Sequence, residues 1–213
     1  FILFQPKDIV SGDFYWATAN EKGFYLAICD STGHGVPGAF MSLLNISFLN
    51  EAINEKNISS PNEVFNHVRN RLIDSISSEG AQDGMDATLI KFIENKIEYS
   101  SANNSPILIR NKAATDLPYD KMPIGKSEQI KEFNKYLLEP QKGDMIYFCT
   151  DGYADQFGGD QGKKFKHKQL QDVLIAISPK PLSEQKKILN DTFETWKGDL
   201  EQVDDVCIVG IRL

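Results

Sequence analysis

The chain has 213 residues, and its 23 lysines and arginines against 30 aspartates and glutamates give a formal net charge of −7 at pH 7. This acidity excludes a protein whose main partner is the nucleic-acid backbone. The sequence also lacks an unbroken apolar run of the ~20 residues that a membrane helix needs.

The first third of the sequence predicts one buried strand followed by two helices. Phe24–Cys29 is a nearly continuous apolar run that ends at Asp30, which is typical of a strand buried on both faces. A capping box with proline at its first helical position begins a second helix, predicted over 61–78. The helix before it is predicted over 36–56 from an apolar stripe at every fourth position, which consists of Val36, Phe40, Leu44 and Phe48.

Short segments rich in β-forming residues follow in the middle of the chain. They are Ala87–Ile93, Lys96–Ser101, Ile107–Arg110 and Phe133–Glu139. Next, Met145–Thr150 repeats the pattern of a buried strand and ends at Asp151. Helical periodicity returns over 170–177 and 185–196, and Val206–Ile211 closes the chain as a strand.

The order of these elements predicts the fold class. Strands, two helices, many strands, two helices and a last strand lack strict βα alternation, so the sequence favours a layered α+β fold over a doubly wound parallel sheet. No repeat or linker interrupts the order, and we expect residues 1–213 to form one domain. Cys29, Cys149 and Cys207 lie in apolar segments without CxxC spacing, which indicates reduced thiols and a reducing compartment such as a bacterial cytoplasm.

Aspartates stand at the ends of the strand-like segments. They are Asp13, Asp30, Asp151, Asp204 and Asp205. If these strand ends meet at one edge, the carboxylates raise one another's pKa unless cations lie among them. A set of oxygen ligands without cysteine or histidine favours Mg²⁺ or Mn²⁺, and two such ions can ionise a water and clamp a phosphoryl group. The alternative is that each aspartate is an ordinary turn residue.

Five stretches, in this order along the chain, carry a family resemblance. They are residues 6–16 (PKDIVSGDFYW), 30–41 (DSTGHGVPGAFM), 83–88 (DGMDAT), 143–159 (GDMIYFCTDGYADQFGG) and 202–206 (QVDDV). Together they resemble the motifs of PPM-type (protein phosphatase 2C-like) serine/threonine phosphatases of the bacterial stage II sporulation protein E branch. The resemblance implies a four-layer αββα sandwich, in which two mostly antiparallel sheets are flanked by helix pairs, with two Mn²⁺ or Mg²⁺ ions at one end.

The resemblance also implies roles for individual residues. Asp30 matches the carboxylate that bridges both metals, and Ser31 matches the position that offers a backbone carbonyl. Asp13 matches the first acidic residue of the site and, with Asp30, the catalytic centre. Asp151 and Asp204 match the carboxylates that complete the metal shell. Asp204 is preferred to its neighbour Asp205 because the family's acidic pair binds through its first member.

The sequence departs from eukaryotic relatives of that family in two places. They hold the substrate phosphate with an arginine before the first acidic residue, whereas Lys7 is the only cation near that place here. Their proposed general-acid histidine follows the bridging aspartate after one glycine, whereas His34 stands four residues after Asp30. Substrate-binding residues and the general acid are therefore left unassigned.

The resemblance implies partners as well. Members of the family remove phosphate from phosphoserine or phosphothreonine on a regulatory protein, often an anti-sigma-factor antagonist. We expect a domain cut from a longer protein with an N-terminal regulatory region, located in the cytoplasm, with any membrane anchor lying in that missing region. The helices over 36–56 and 61–78 match the family's regulatory switch, which also mediates dimerisation, so a homodimer is expected. No nucleic-acid or membrane contact is expected of the domain itself.

Two other functions stay open from sequence alone. One is a phosphatase-like domain that binds a partner without catalysis, and the other is a phospho-accepting receiver domain. Three further features have two readings each: Asp86 and Asp155 as metal contacts or solvated side chains, and Lys163-Lys164 as a steering charge or a solvated loop.

Overall fold

Two β-sheets lie face to face at the centre of the protein. The computed structural model describes residues 1–76, 83–94, 96–127 and 131–213. Its strands are β1 (Ile2–Gln5), β2 (Asp13–Asn20), β3 (Gly23–Ser31), β4 (Gly84–Ile93), β5 (Lys96–Ala102), β6 (Ile107–Arg110), β7 (Ala113–Asp116), β8 (Ile124–Gly125), β9 (Tyr136–Leu138), β10 (Met145–Cys149), β11 (Phe157–Gly158), β12 (Lys163–Lys164) and β13 (Val206–Arg212). The first sheet has the order β2-β3-β4-β5-β9 with β8 beside β4, and the second has the order β1-β13-β10-β6-β7.

Helices cover the outer face of each sheet. They are α1 (Gly35–Asn50), which continues into a π-helical turn over Glu51–Glu55, α2 (Pro61–Ile76), α3 (Gly152–Asp155), α4 (His167–Ile177) and α5 (Leu182–Lys197). Helices α1 and α2 pack on the first sheet, whereas α4 and α5 pack on the second. Strands β11 and β12 form a small hairpin between α3 and α4.

Three apolar layers hold this sandwich together. One lies between α1, α2 and the first sheet, and another lies between the second sheet and α4, α5. The third joins the two sheets and includes Leu26 and Ile90 from the first with Phe148 and Val209 from the second. Every named strand pair is antiparallel. The predicted α+β sandwich of two antiparallel sheets flanked by helix pairs is confirmed.

Several predicted element bounds differ from those in the structure. Only Tyr136–Leu138 of the predicted segment Phe133–Glu139 is a strand. Phe133 instead packs in the core beside α2, and pairing with β5 begins at Tyr136. The helix predicted over 61–78 ends at Ile76 within the described part, and residues 77–78 lie outside it. Strand β1 had no counterpart among the predicted strands, although it pairs with β13 at the edge of the second sheet.

The predicted apolar stripe of α1 does not face the core along its whole length. Val36 is 62% exposed and Phe40 is 70% exposed, whereas Phe48 is buried. In the amino-terminal half of α1 the buried positions are Gly35, Gly38 and Ser42. Small residues are needed there because the helix lies directly against loop backbone, so the large apolar side chains face outwards.

In the described part of the chain, one helical stretch, Gly35–Glu55, has the length and apolar composition that crossing a membrane requires. Helices packed in a protein core pass the same test, and this one packs against β2, β3 and α2. The stretch is therefore weak support for a membrane span.

Candidate metal centre

Three aspartates from neighbouring strands stand in a row at one edge of the first sheet. Asp13 begins β2 and lies directly opposite Asp30 on β3. Asp30 in turn lies directly opposite Asp86 on β4. Residues opposite each other in antiparallel strands project to the same face with Cβ atoms about 5 Å apart. The pairing thus places three carboxyl groups side by side, although they are up to 73 positions apart in the sequence.

The second sheet brings Asp151 and Asp204 to the same edge. Asp151 follows β10 at the start of α3, and Asp204 lies just before β13. The two segments touch: a Cβ atom added to Gly152 would lie 2.0 Å from the backbone oxygen of Asp205 and 3.3 Å from Cβ of Asp204. Only glycine allows this approach, which explains the glycine after Asp151.

Thr150 connects the two sheets beneath the carboxylates. Its hydroxyl donates a hydrogen bond to Oδ2 of Asp13 at 2.6 Å and accepts one from the backbone N–H of Cys207 at 2.9 Å. Asp13 is 4% exposed and Thr150 is 2% exposed. The first acidic residue of the site is therefore oriented by the residue that joins β10 to Asp151.

The adjacent residues Asp204 and Asp205 have different environments. The carboxylate of Asp205 is buried and accepts two backbone hydrogen bonds, from Lys7 to Oδ1 and from Gly12 to Oδ2, each 2.8 Å long. Asp204 is only partly buried, and its Oδ1 accepts the backbone N–H of Asp205. Asp205 thus fixes the segment before β2. Oδ2 of Asp204 has no hydrogen-bond partner among the described residues, so it is free to bind a metal ion.

A close approach of backbone segments fixes the loop after Asp30. The backbone N–H of Ser31 donates to the carbonyl of Gly12 at 3.1 Å, and the Ser31 hydroxyl accepts from Nδ2 of Asn45 on α1 at 3.0 Å. A Cβ atom on Gly38 would lie 2.1 Å from the backbone oxygen of Gly33. The loop and the start of α1 therefore interlock through glycine backbone, and Ser31 is held almost fully buried.

Burial and mutual repulsion raise the pKa values of these carboxyl groups. For Asp30, burial is the largest cause and the neighbouring aspartates, first of all Asp13, add to it, so that its pKa rises to about 9. Burial likewise raises the pKa of Asp13 to about 8, although the hydrogen bond from Thr150 acts in the opposite direction.

Asp151 and Asp86 show the same direction of shift. The pKa of Asp151 rises to about 6, mainly through burial and then through Asp204, while Lys164 opposes the rise. Burial also raises the pKa of Asp86, against a hydrogen bond from Nδ2 of Asn103 at 2.9 Å. The protein surroundings therefore do not compensate the charge of all these carboxylates when they are ionised, which is the condition under which a cation is favoured among them.

The donor chemistry of this edge fits hard divalent ions. Carboxylate and carbonyl oxygens are the ligands that Mg²⁺ and Mn²⁺ take, and no cysteine or histidine is part of the row. Among residues 1–76, 83–94, 96–127 and 131–213, no three acidic, histidine or cysteine side chains already have the spacing of a closed metal cage. These described carboxylates are gathered at one edge without forming such a cage.

Lys7 and His34, considered from sequence as possible phosphate-binding and general-acid residues, contact each other in the structure. His34 precedes α1, is exposed, and its Nδ1 lies 3.3 Å from Oδ2 of Asp8 and its Nε2 3.5 Å from Nζ of Lys7. The side chains of Lys7, Asp8 and His34 thus form a small polar cluster before α1. Sequence reasoning missed Thr150 and the anchoring role of Asp205, since neither has a sequence signal apart from standing next to a predicted ligand.

Comparisons with known proteins bear on the family and the fold of the chain. A family model of stage II sporulation protein E (SpoIIE) matches residues 20–213. Phosphoserine phosphatase RsbU of Bacillus subtilis (strain 168) is 24% identical over 155 residues, which are 70% of this chain and 44% of RsbU. The chain thus spans less than half the length of this curated relative.

Solved structures give the same fold. The SiaA-PP2C domain of Pseudomonas aeruginosa matches with a TM-score of 0.91 and 27% identity, over 100% of this chain and 85% of that chain. The catalytic domain of the serine/threonine protein phosphatase PstP, in complex with two manganese ions, matches with a TM-score of 0.66 and 17% identity, over 99% of this chain and 95% of that chain. At that identity the PstP match shows the fold alone.

Proposed function

The chain belongs to the stage II sporulation protein E family, and from this premise we propose that it is a metal-dependent protein serine/threonine phosphatase. The observation that carries the proposal is the row formed by Asp13, Asp30 and Asp86, joined from the second sheet by Asp151 and Asp204. PstP, which shares the fold, holds two manganese ions, and RsbU is named a phosphoserine phosphatase.

Five residues would hold two Mn²⁺ or Mg²⁺ ions. They are Asp13, Asp30, Asp151 and Asp204 through carboxylates and Ser31 through its backbone carbonyl. Bound there, two divalent ions would lower the pKa of a water and neutralise phosphoryl oxygens during in-line displacement.

The chain's own contribution to the reaction is orientation and charge. Asp30 lies between Asp13 and Asp86 and is the carboxylate best placed to be shared by two ions. Thr150 holds one oxygen of Asp13 and leaves the other for a ligand. Asp205 holds the backbone before Asp13 and so positions the start of β2. The reacting phosphate would thus meet ligands whose backbone is fixed before it arrives.

The physiological setting is part of the same proposal. The substrate is a phosphoserine or phosphothreonine of a regulatory protein, of which an anti-sigma-factor antagonist is one candidate. Residues 1–213 act as one catalytic domain attached to an N-terminal regulatory region in a longer cytoplasmic protein. The exposed residues Val36, Phe40 and Leu43 on α1 support a homodimer that forms through this helix.

The antiparallel sheets argue against the receiver-domain alternative, because a receiver is built on a parallel, doubly wound sheet. A binding module without catalysis is separated from an enzyme by experiment. We expect Mn²⁺-dependent hydrolysis of p-nitrophenyl phosphate that EDTA abolishes and that Asp30→Asn lowers by at least about 10²-fold. The exposed Asp191→Asn on α5 is the matched control and should retain full activity.

Each contrary outcome has a distinct meaning. Activity that survives chelation would refute the metal mechanism. Binding of Mn²⁺ without hydrolysis of either p-nitrophenyl phosphate or a phosphoserine peptide would favour the binding module. Metal-independent phosphate trapped on one aspartate would favour the receiver.

A further inference from the structure

A strongly basic segment lies beside the candidate metal centre of this acidic protein. Residues 163–168 read KKFKHK, so four of the 23 lysines and arginines fall within six positions. All four lysines and His167 are exposed. We call residues 163–168 the basic rim.

The basic rim has a rigid support. It runs from β12 of the small hairpin into the first turn of α4. Between the lysines, Phe165 is 1% exposed and packs edge-on against Tyr153 and Trp196, with ring centroids 5.2 Å apart in both cases. The hairpin also lies directly on α5, where a Cβ atom on Gly158 would be 1.9 Å from the backbone oxygen of Trp196. The buried Phe165 thus anchors the backbone that carries the exposed lysines.

Only part of the rim's charge is used within the chain. Lys164 pairs with Asp155 at 2.8 Å, and Lys168 pairs with Asp172 at 2.8 Å. Lys163 and Lys166 have no ion pair among the residues that the structure describes. These two ammonium groups are therefore available to an external anionic partner.

A cavity of about 410 Å³ connects the rim to the metal centre, and its size lies within the roughly 300–1,000 Å³ range of ligand pockets. Asp151 forms part of its wall on the side of the centre, and Asp155 and His167 form part of its wall on the side of the rim. Asn103, Asn104 and Tyr119, whose side chains carry polar groups, also line it. A peptide chain that presents a phosphoserine at the centre would therefore continue through this cavity towards the rim.

We propose that the basic rim binds an acidic segment of the phosphoprotein substrate, next to the phosphoserine that the metal centre receives. The proposal rests on the proposed phosphatase function and adds a substrate class to it: phosphoproteins with glutamates or aspartates close to the phosphorylated residue. Because the chain as a whole carries a net negative charge, an acidic substrate needs a locally basic surface such as this one to be attracted. The rim would thus govern both the rate and the orientation of the encounter.

The test uses matched phosphoserine peptides that carry three glutamates, three alanines or three lysines on either side of the phosphoserine. Fluorescence anisotropy measures their binding, and phosphate release in Mn²⁺ measures kcat/KM. At low salt we expect the protein to favour a glutamate peptide over the alanine peptide by about tenfold, and the preference to fade towards 1 M salt as charges are screened.

Charge reversal identifies the surface. In the double variant Lys163→Glu/Lys166→Glu the preference should disappear or invert towards the lysine peptide, and the single variant Lys163→Glu should show a smaller change in the same direction. The control is Lys186→Glu/Lys187→Glu, which reverses two equally exposed lysines on α5 and should keep the glutamate preference. Thermal melting checks that each variant is folded.

The readouts separate this proposal from the proposed function. Hydrolysis of p-nitrophenyl phosphate, which has no flanking residues, reports on the metal centre alone. If all variants hydrolyse it equally but no glutamate preference exists, or if the α5 control loses the preference as strongly, the rim proposal is wrong and the phosphatase stands. If hydrolysis is absent but the glutamate peptide binds and rim reversal abolishes binding, the phosphatase is wrong and the basic rim stands as a binding surface. Absence of both overturns both.

Discussion

Replacing Asp205 with alanine should destabilise the protein far more than replacing Asp204, although the two residues are adjacent and chemically identical. Asp205 is 2% exposed and accepts the backbone N–H groups of Lys7 and Gly12. Hydrogen bonds to a charged group contribute roughly 1.5–3 kcal/mol each, so losing both should lower the free energy of unfolding by about 4 kcal/mol. In a domain of this size that corresponds to a fall in Tm of roughly 8–16 °C.

Asp204→Ala removes one local hydrogen bond to a neighbouring backbone N–H, and we expect a cost of about 1 kcal/mol. Urea unfolding in EDTA measures both values without any contribution from metal. Addition of Mn²⁺ should affect the two variants in the opposite order. Asp204→Ala should lose the rise in Tm that Mn²⁺ gives, because it lacks a proposed ligand, whereas Asp205→Ala should keep more of that rise. The reasoning fails if Asp205→Ala costs less than about 1 kcal/mol, or if Asp204→Ala costs as much in EDTA.

Three further predictions concern the loop after Asp30, the pH dependence and the outer face of α1. Gly38→Ala should lower Mn²⁺ affinity at least tenfold in a metal titration, since the new methyl group would meet the backbone oxygen of Gly33, and wild-type affinity would contradict this. Folding raises the pKa of Asp13 to about 8 and that of Asp30 to about 9, from about 4 in the unfolded chain. Because the folded protein then binds more protons than the unfolded chain, the metal-free protein should lose stability as the pH rises from about 4 to 9. Correspondingly, the rise in Tm on adding Mn²⁺ should grow from pH 6 to 9, and a constant rise would refute those pKa values. Phe40→Asp should shift the protein towards monomer in sedimentation equilibrium without lowering p-nitrophenyl phosphate hydrolysis, and an unchanged mass distribution would exclude this face as the dimer contact.

The sequence was sufficient to predict a layered fold and, to within two residues, the ends of the two buried strands β3 and β10. Phe24–Cys29 and Met145–Thr150 are apolar runs that stop at an aspartate, and such runs predict buried strands with polar ends wherever they occur. The grouping of helices between blocks of strands predicted a layered α+β fold, and the family resemblance implied its arrangement as a four-layer sandwich. Local pattern is enough for these features because each depends on the burial of one segment.

Features that depend on pairing between distant segments could not be predicted. The position of Asp86 beside Asp30 follows from the register of β3 against β4, which one sequence does not specify. Equally, nothing local distinguishes Asp205, which binds backbone, from Asp204 before it. The stripe on α1 was assigned to the core because periodicity indicates which residues share a face, but not that Gly38 and Ser42 provide the close contact.

The carboxylate of Asp205 also gives the amino end of the chain a mechanical link to the metal centre. Strand β1 ends at Gln5, and two residues later the backbone of Lys7 is bound to Asp205. A pull on β1 would therefore act on Asp205, which is next to Asp204 in the chain and is bonded to Gly12 next to Asp13. The distance between the proposed ligands Asp13 and Asp204 would change as a result. A displacement of the first strand would thus reach the residue beside the proposed ligand Asp204 through one backbone hydrogen bond.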